Sequence, residues 1–411
     1  MQAALLVAAD RFADAVGWLR RPLKEAALIR AVKRRSGFYE FDDESFREPL
    51  GLLLRCYAEE AELSLVGRLA ARWDVIRFLT NLLRFRAEER ANPAIAQLPI
   101  REPIFITGLP RSGTTFLHSL LAEDSANLVP RYWQTVYPYP PPHGADRRPE
   151  LVDRQLRLFA RMAPDFPNVH PVNAHSPQEC SEITAHVFRS LRFDTTHNVP
   201  SYRVWLDAAG HTEAYRFHRR FLQHLQHQSG PGRWVVKCPD HIFAMPAIRE
   251  IFPDARYVFV HRDPAKVLAS VARLTEILRQ PFSRRVDRLQ IGRQESARWA
   301  DGAARLIAAS EARDDIFHVH HTDLIADPTG TVAALYRHFG IAFSAEAEAR
   351  MLQMLAAMPP EHHQHHTYRM QDFGLDPEAE RRRFADYIAH FKIETEAPAR
   401  TRASHVDSLA A

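Results

Sequence analysis

One stretch constrains the fold of this chain more than any other: Ile104-Phe105-Ile106-Thr107-Gly108-Leu109-Pro110-Arg111-Ser112-Gly113-Thr114-Thr115-Phe116-Leu117-His118-Ser119-Leu120-Leu121. A short apolar run of strand length enters a loop framed by Gly108 and Gly113, and the apolar spacing that follows from Thr114 is helical. The chain has only 15 Gly in 411 residues, so a loop before a helix that holds two of them makes a specific demand on the backbone. The two glycines reproduce the G-x-x-x-x-G frame of a phosphate-binding loop. In such a loop the backbone N–H groups point inward and the positive end of the next helix adds to them, so together they bind an anion.

The frame departs from an ordinary nucleoside-triphosphate loop at one informative place. Thr114 stands where the loop lysine would be, and the cation is Arg111, inside the loop. Without that lysine, Mg²⁺-dependent ATP or GTP hydrolysis loses its usual contact to the γ-phosphate. Arg111 still offers bidentate donors, and Ser112, Gly113, Thr114 and Thr115 supply hydroxyls and backbone N–H groups. These five residues are the first candidate anion-binding set.

Three further apolar runs read as buried strands: Trp234 to Lys237, Arg256 to Val260 and Ile316 to Val319. Helical stretches separate them, which predicts an α/β fold: a parallel sheet flanked by helices on both faces. Asp263-Pro264 and Asp327-Pro328 each place an N-cap residue before a proline at the first helical position, and Gly340 is a suitable helix stop. The strand ending at Val260 runs into His261-Arg262-Asp263-Pro264, and Ser270 follows Arg262 by eight residues. A rise of roughly 10 Å between them lets an extended arginine and a helix serine meet on one phosphate.

Residues 1–91 read as a helical N-terminal region, with Leu65, Leu69, Val75, Phe78, Leu79, Leu82 and Leu83 at near-helical spacing. Residues 92–103, with Pro93, Pro99 and Pro103, read as a linker; 104–395 as the main domain; 396–411 as a tail. The Pro-rich stretch from Tyr137 to Pro149 reads as an ordered surface loop. Hydrophobic residues are 46% and charged residues 25%, the balance of a soluble globular protein. The net charge of +4 comes with no long basic tract, so nucleic acid is not expected as a partner. Cys56, Cys180 and Cys238 form neither a disulfide framework nor a zinc spacing, and a reducing cytoplasm is the expected location. The N-terminal segment is broken by Asp10, Arg11 and Asp14, so neither a secretory signal nor a membrane span is expected.

Taken with these motifs, the chain resembles the sulfotransferases that use 3′-phosphoadenosine 5′-phosphosulfate (PAPS), in their bacterial branch with a glutamate base. Pro110 to Thr115 resembles the family's 5′-phosphosulfate loop, and the Arg262…Ser270 pair resembles its 3′-phosphate motif. Val235 to His241, Phe252 to Pro264 and Thr367 to Pro377 are also similar to family segments, the last being one that closes over the nucleotide. The resemblance spans roughly residues 100–390 and implies a P-loop-like sulfotransferase fold, PAPS as donor, and no requirement for a metal.

Sulfuryl transfer to an alcohol needs the donor held in line, charge on the bridging oxygen stabilised and a base for the acceptor proton. Lys237, at the end of its strand, matches the family's catalytic lysine. The cytosolic enzymes place a histidine shortly after that lysine, but here Cys238 and Pro239 follow. The resemblance of residues 170–183 to the glutamate-base segment makes Glu179 the first choice of base, with Glu182, His175 and His241 as rivals; Glu182, three residues on and on the same expected helix face, is placed to couple with Glu179. The tract Glu361 to His366 fits no standard metal site and reads as a solvated loop, from which His366 or Tyr368 is placed to touch the nucleotide. The acceptor is left open: a hydroxyl, or an amine, of a small molecule, a carbohydrate or a lipid. Tyr132, Trp133, Tyr137, Tyr139, Tyr202 and Trp205 are aromatic residues suited to any of them. The N-terminal helices are candidates to cover the acceptor cleft or to form a homodimer. The alternatives are a P-loop kinase or NTPase, discriminated by Mg²⁺-dependent ATP binding, and a catalytically silent nucleotide-binding module.

Overall fold

The computed structural model of the chain describes residues 2–19, 21–141, 144–311, 313–358 and 369–396. Five strands form one parallel sheet: β1 (Ile104–Gly108), β2 (Asn127–Leu128), β3 (Arg233–Lys237), β4 (Arg256–His261) and β5 (Ile316–His320). Their order is β2-β3-β1-β4-β5. The four apolar runs are therefore strands. The fifth, β2, has two residues, too few to leave a pattern in the sequence.

Helices cover both faces, which is why the strands read as continuous apolar runs. Phe105, Trp234, Val236, Tyr257 and Phe259 pack on one side with Phe78, Leu79, Leu82 and Phe85 of the helix Leu65–Ala91 and with Phe217 and Phe221 of the helix Thr212–Ser229. Ile104, Ile106, Val235, Val258 and Val260 pack on the other with Leu117, Leu120, Leu121, Val332, Leu335 and Tyr336. Full burial of each such Leu, Ile or Phe contributes about 1.5–3 kcal/mol.

The N-terminal helices share the first of these cores, with Leu28, Leu50 and Phe78 in the same apolar cluster as Phe105 and Tyr257. Leu69 was expected in the buried stripe, but it is 53% exposed while Phe78 and Leu79 are fully enclosed. The stretch after that helix is ordered: Pro93–Gln97 is a 3₁₀ turn, and Gln223 and Gln226 donate to the carbonyls of Ala96, Leu98 and Pro99. The expected caps are in place, since Asp263 accepts from the Ala265 N–H and Asp327 from the Gly330 N–H, both at 2.9 Å. The Pro-rich loop ends earlier than expected, because the helix Arg148–Met162 takes Pro149 into its first turn.

A buried ionic quartet fastens the N-terminal helices to the segment that follows Glu179. Arg77 reaches Asp74 at 2.9 Å and Glu182 at 2.6 Å; Arg192 reaches the same two carboxylates at 2.8 and 2.7 Å. Burial opposes ionisation of Asp74, but the two guanidinium charges more than offset it and hold its pKa at about 2. Glu182 is thus bound to two arginines and does not pair with Glu179 as its position three residues on had suggested. Among the described residues, no helix is long and apolar enough to cross a membrane. The His-rich tract 361–366, with His366 and Tyr368, lies outside the described residues.

Candidate active site

The strand order reverses around β1: β3 and what precedes it lie on one side, β4 and β5 on the other. Such a reversal leaves a crevice at the carboxyl ends of the strands. The ends of β1, β3 and β4 meet there and deliver the glycine-framed loop, Lys237 and Arg262 to one place.

The loop has the backbone its glycines imply. Gly108 has φ 146°, and a Cβ there would stand 2.2 Å from the Val260 carbonyl oxygen. Gly113 has φ 99°, and a Cβ there would press on the His321 ring at 2.9 Å. Arg111 also takes a left-handed conformation, φ 62°, which costs of order 1 kcal/mol or more for a residue with a Cβ. Two outside groups hold that shape. Arg262 Nη1 donates to the Arg111 carbonyl at 2.9 Å, and His321 Nδ1 donates to the Ser112 carbonyl at 3.1 Å. The helix Thr114–Leu121 starts directly afterward, with Gly113 at its cap. Ser112 Oγ is buried and has no hydrogen-bond partner among the described residues. An orphaned donor costs about 1–3 kcal/mol unless a ligand oxygen meets it, so the loop fits a bound phosphate.

Lys237 closes the adjoining side. Its side chain is 1% exposed, and its ammonium donates to Thr115 Oγ1 at 3.0 Å and to Glu179 Oε1 at 2.5 Å. Glu179 is brought there by its backbone, which bridges that of Lys237. The residues before it are laced to the segment 130–133: Gln178 N–H donates to the Pro130 carbonyl, Tyr132 N–H to Ser176 and Trp133 N–H to Ala174. Burial would raise the Glu179 pKa, but the Lys237 charge overrides it and holds the carboxyl below its usual range. Glu179 is therefore an anion at neutral pH, and it keeps about a third of its side chain exposed.

Three titratable neighbours complete this environment. His118 is pushed down to about 3 and His170 to about 4, each by burial first and with the Lys237 charge adding to it, so both imidazoles are neutral at pH 7. Asp240 is pushed up to about 7, by burial first and then by the Glu179 charge. His170 and Asp240 lie inside the segments quoted from the sequence, yet nothing in spacing alone distinguished them from their neighbours.

The second constellation is continuous with the first. Arg111 Nε donates to Ser270 Oγ at 3.1 Å, so the loop arginine turns toward the next helix. Arg262 Nε and Nη2 form a forked pair with the Glu396 carboxylate at 2.7 and 2.9 Å. The Glu396 N–H donates to Asp263 Oδ2 at 3.0 Å. Arg262 and Ser270 are joined through Arg111 rather than directly. One guanidinium thus spans the two anion-binding sets.

A profile of the Sulfotransferase family matches residues 103–345. The chain belongs to that family. This sulfotransferase-family chain is similar to two solved structures over nearly its whole length. The sulfotransferase STF1 from Mycobacterium tuberculosis H37Rv shares 31% identity and a TM-score of 0.78, covering 88% of this chain and 98% of that one. The sulfotransferase STF9 from Mycobacterium avium shares 28% identity and a TM-score of 0.79, covering 90% and 97%. A curated relative, the omega-hydroxy-beta-dihydromenaquinone-9 sulfotransferase Stf3 of Mycobacterium bovis, is 26% identical over 256 residues, 58% of this chain. The chain spans 63% of the length of that relative. The parallel sheet with its glycine-framed loop is the P-loop-like fold of these sulfotransferases.

Within the sulfotransferase frame, the expected residues divide. Lys237, Glu179, Thr115, Arg111, Ser112, Gly113, Thr114, Arg262 and Ser270 lie along the crevice or in the loop and helix that form it. His241 does not join them: it is fully enclosed, its Nδ1 is 2.5 Å from the Tyr215 hydroxyl, and its ring packs on Phe105. Burial drives its pKa well below the usual value, which makes it a neutral core residue. His175 is exposed, and its carbonyl accepts from Arg131. Tyr202, one of the expected acceptor-facing aromatics, is also core; its hydroxyl donates to the Phe188 carbonyl at 2.8 Å. Tyr139 is tied to His224 and packs on Phe85.

Proposed function

We propose that this chain transfers a sulfuryl group from PAPS to a hydroxyl of a small-molecule or lipid acceptor. The observation that carries the reading is Lys237, whose buried ammonium touches both the start of the helix after the phosphate-type loop, at Thr115, and an ionised carboxylate placed to serve as base, Glu179. The donor's 5′ end suits the loop, where Ser112 Oγ has no partner among the described residues; its 3′-phosphate suits Arg262 and Ser270.

In this reading Lys237 exchanges partners. It moves its hydrogen bond from Glu179 to the bridging oxygen as charge develops there, the moment at which a fixed cation accelerates the step most. Glu179, relieved of that ammonium, becomes a stronger base and takes the acceptor proton. Neutral His118 and His170 add no competing positive charge. The relative that acts on a hydroxylated menaquinone favours a hydroxyl on a lipid-like acceptor. Membership of the family, with Thr114 in place of the loop lysine, removes the support for a kinase or NTPase.

The test is an acceptor screen with radiolabelled PAPS, including hydroxylated quinone lipids, on the natural chain and on Lys237→Ala. Label transfer that disappears in the variant is expected. Tight binding of adenosine 3′,5′-bisphosphate without transfer to any acceptor leaves a nucleotide-binding module instead.

A further inference from the structure

The carboxylate of Glu396 lies where an anion is expected. Its two oxygens take Nε and Nη2 of Arg262, and Arg262 Nη1 is given to the Arg111 carbonyl. Each of the three guanidinium nitrogens thus has a partner inside the chain. Lys266 adds positive charge close by. A forked carboxylate on arginine has the geometry and charge of a phosphate on the same arginine. Two such anions do not share one guanidinium edge without strong repulsion.

We propose that Glu396 is a built-in occupant of the subsite for the 3′-phosphate, which the nucleotide must displace in order to bind. The inference rests on the nucleotide reading given above. The local architecture allows the exchange without unfolding. Phe391 stacks on His261 at 4.0 Å between ring centres, the Tyr387 hydroxyl pairs with His261 Nδ1 at 3.1 Å, and Ile393 is buried. These contacts anchor the segment up to residue 393. Beyond them Glu394 and Thr395 are exposed, and among the described residues Glu396 is held by its pair with Arg262 and its backbone bond to Asp263. Release therefore costs one ion pair and one hydrogen bond, while the anchor stays seated. The device lowers apparent affinity for any ligand that needs Arg262 by the fraction of time the carboxylate is in place. A ligand that does not reach Arg262 is unaffected.

The experiment is calorimetric titration of the natural chain and of Glu396→Gln with two probes: adenosine 3′,5′-bisphosphate, and adenosine 5′-phosphosulfate, which lacks the 3′-phosphate. Glutamine keeps the size and removes the charge. The bisphosphate is expected to bind the variant on the order of tenfold more tightly, with the 5′-phosphosulfate unchanged. Hydrogen exchange at residues 394–396 of the natural chain is expected to speed up when the bisphosphate binds. Equal or weaker bisphosphate affinity in Glu396→Gln overturns the inference, and so does an equal gain for both probes. Failure of the bisphosphate to bind either protein overturns the nucleotide reading itself, a distinct result.

Discussion

Arg262, at the end of β4, donates from Nη1 to the backbone carbonyl of Arg111, in the loop after β1, across 2.9 Å. The bond makes the two anion-binding sets mechanically dependent: the arginine assigned to one end of the nucleotide also holds the strained backbone at the other. Arg262→Ala is therefore expected to weaken adenosine 3′,5′-bisphosphate by about 2–3 kcal/mol through the lost charge-assisted contacts. Arg262→Lys is expected to recover little, because an ammonium cannot reproduce the fork and the Arg111 bond together. Titration calorimetry decides it; an affinity restored by lysine would contradict the dual role.

Lys237→Ala is expected to lower the transfer rate by at least about 10³-fold while bisphosphate affinity stays within a few-fold. Binding energy resides mainly in the loop and Arg262, whereas Lys237 acts on charge that develops later. Parallel loss of binding and turnover would place Lys237 in ground-state binding instead.

Glu179→Gln is expected to cost about 10²–10⁴ in turnover, with little change in nucleotide affinity. The Glu179 carboxyl is depressed below its ordinary 4.5, so its pair with Lys237 contributes stability that is present above that value and lost as pH falls through the depressed one. Acid denaturation of the natural chain should therefore show an acid-labile contribution that the glutamine variant lacks.

Asp240 behaves in the opposite sense. Its folded pKa, about 7, lies above the ordinary 3.8, so between these values the folded state holds a proton that the unfolded state does not, and stability falls as pH rises. Asp240→Asn removes that penalty. Denaturation curves at pH 5 and pH 8 should show the variant gaining on the natural chain with rising pH, by about 1–2 kcal/mol after allowance for partial exposure. A difference independent of pH would show that Asp240 ionises normally.

The buried quartet offers a test away from the chemistry. Arg77→Ala leaves Asp74 and Glu182 under-compensated in the core and is expected to destabilise the fold by about 3–5 kcal/mol. Asp74, ordinarily 3.8 and here about 2, adds stability that is complete above pH 3.8 and lost as pH falls through about 2. Urea titration of the variant checks the first figure, and the acid limb of the natural chain checks the second.

What was legible in the sequence was what is local along the chain. The glycine-framed loop, the apolar strands and the Asp-Pro caps are each written within about a dozen residues, and each appears in the structure in its expected place. Lys237 and Glu179 were legible singly, as strand end and family-like segment, but their contact is made by residues 58 apart. The quartet was not legible, because its members are contributed by a helix and by a segment more than a hundred residues later. Glu182 looked like a partner for Glu179 only while both were imagined on one continuous helix. In the structure Glu179 is the cap of a helix that begins at Cys180, which turns Glu182 toward the arginines. Glu396 left no sequence signal at all; its meaning lies in what it touches 134 residues earlier.

The claim that one nucleotide spans both anion-binding sets is tested most directly by titrating the natural chain with adenosine 3′,5′-bisphosphate, adenosine 5′-phosphate and adenosine 3′-phosphate under one set of conditions. The account predicts that the bisphosphate binds at least about a hundredfold more tightly than either monophosphate, since its second phosphate engages an already adjacent pocket. A bisphosphate that binds no better than the stronger monophosphate would contradict it.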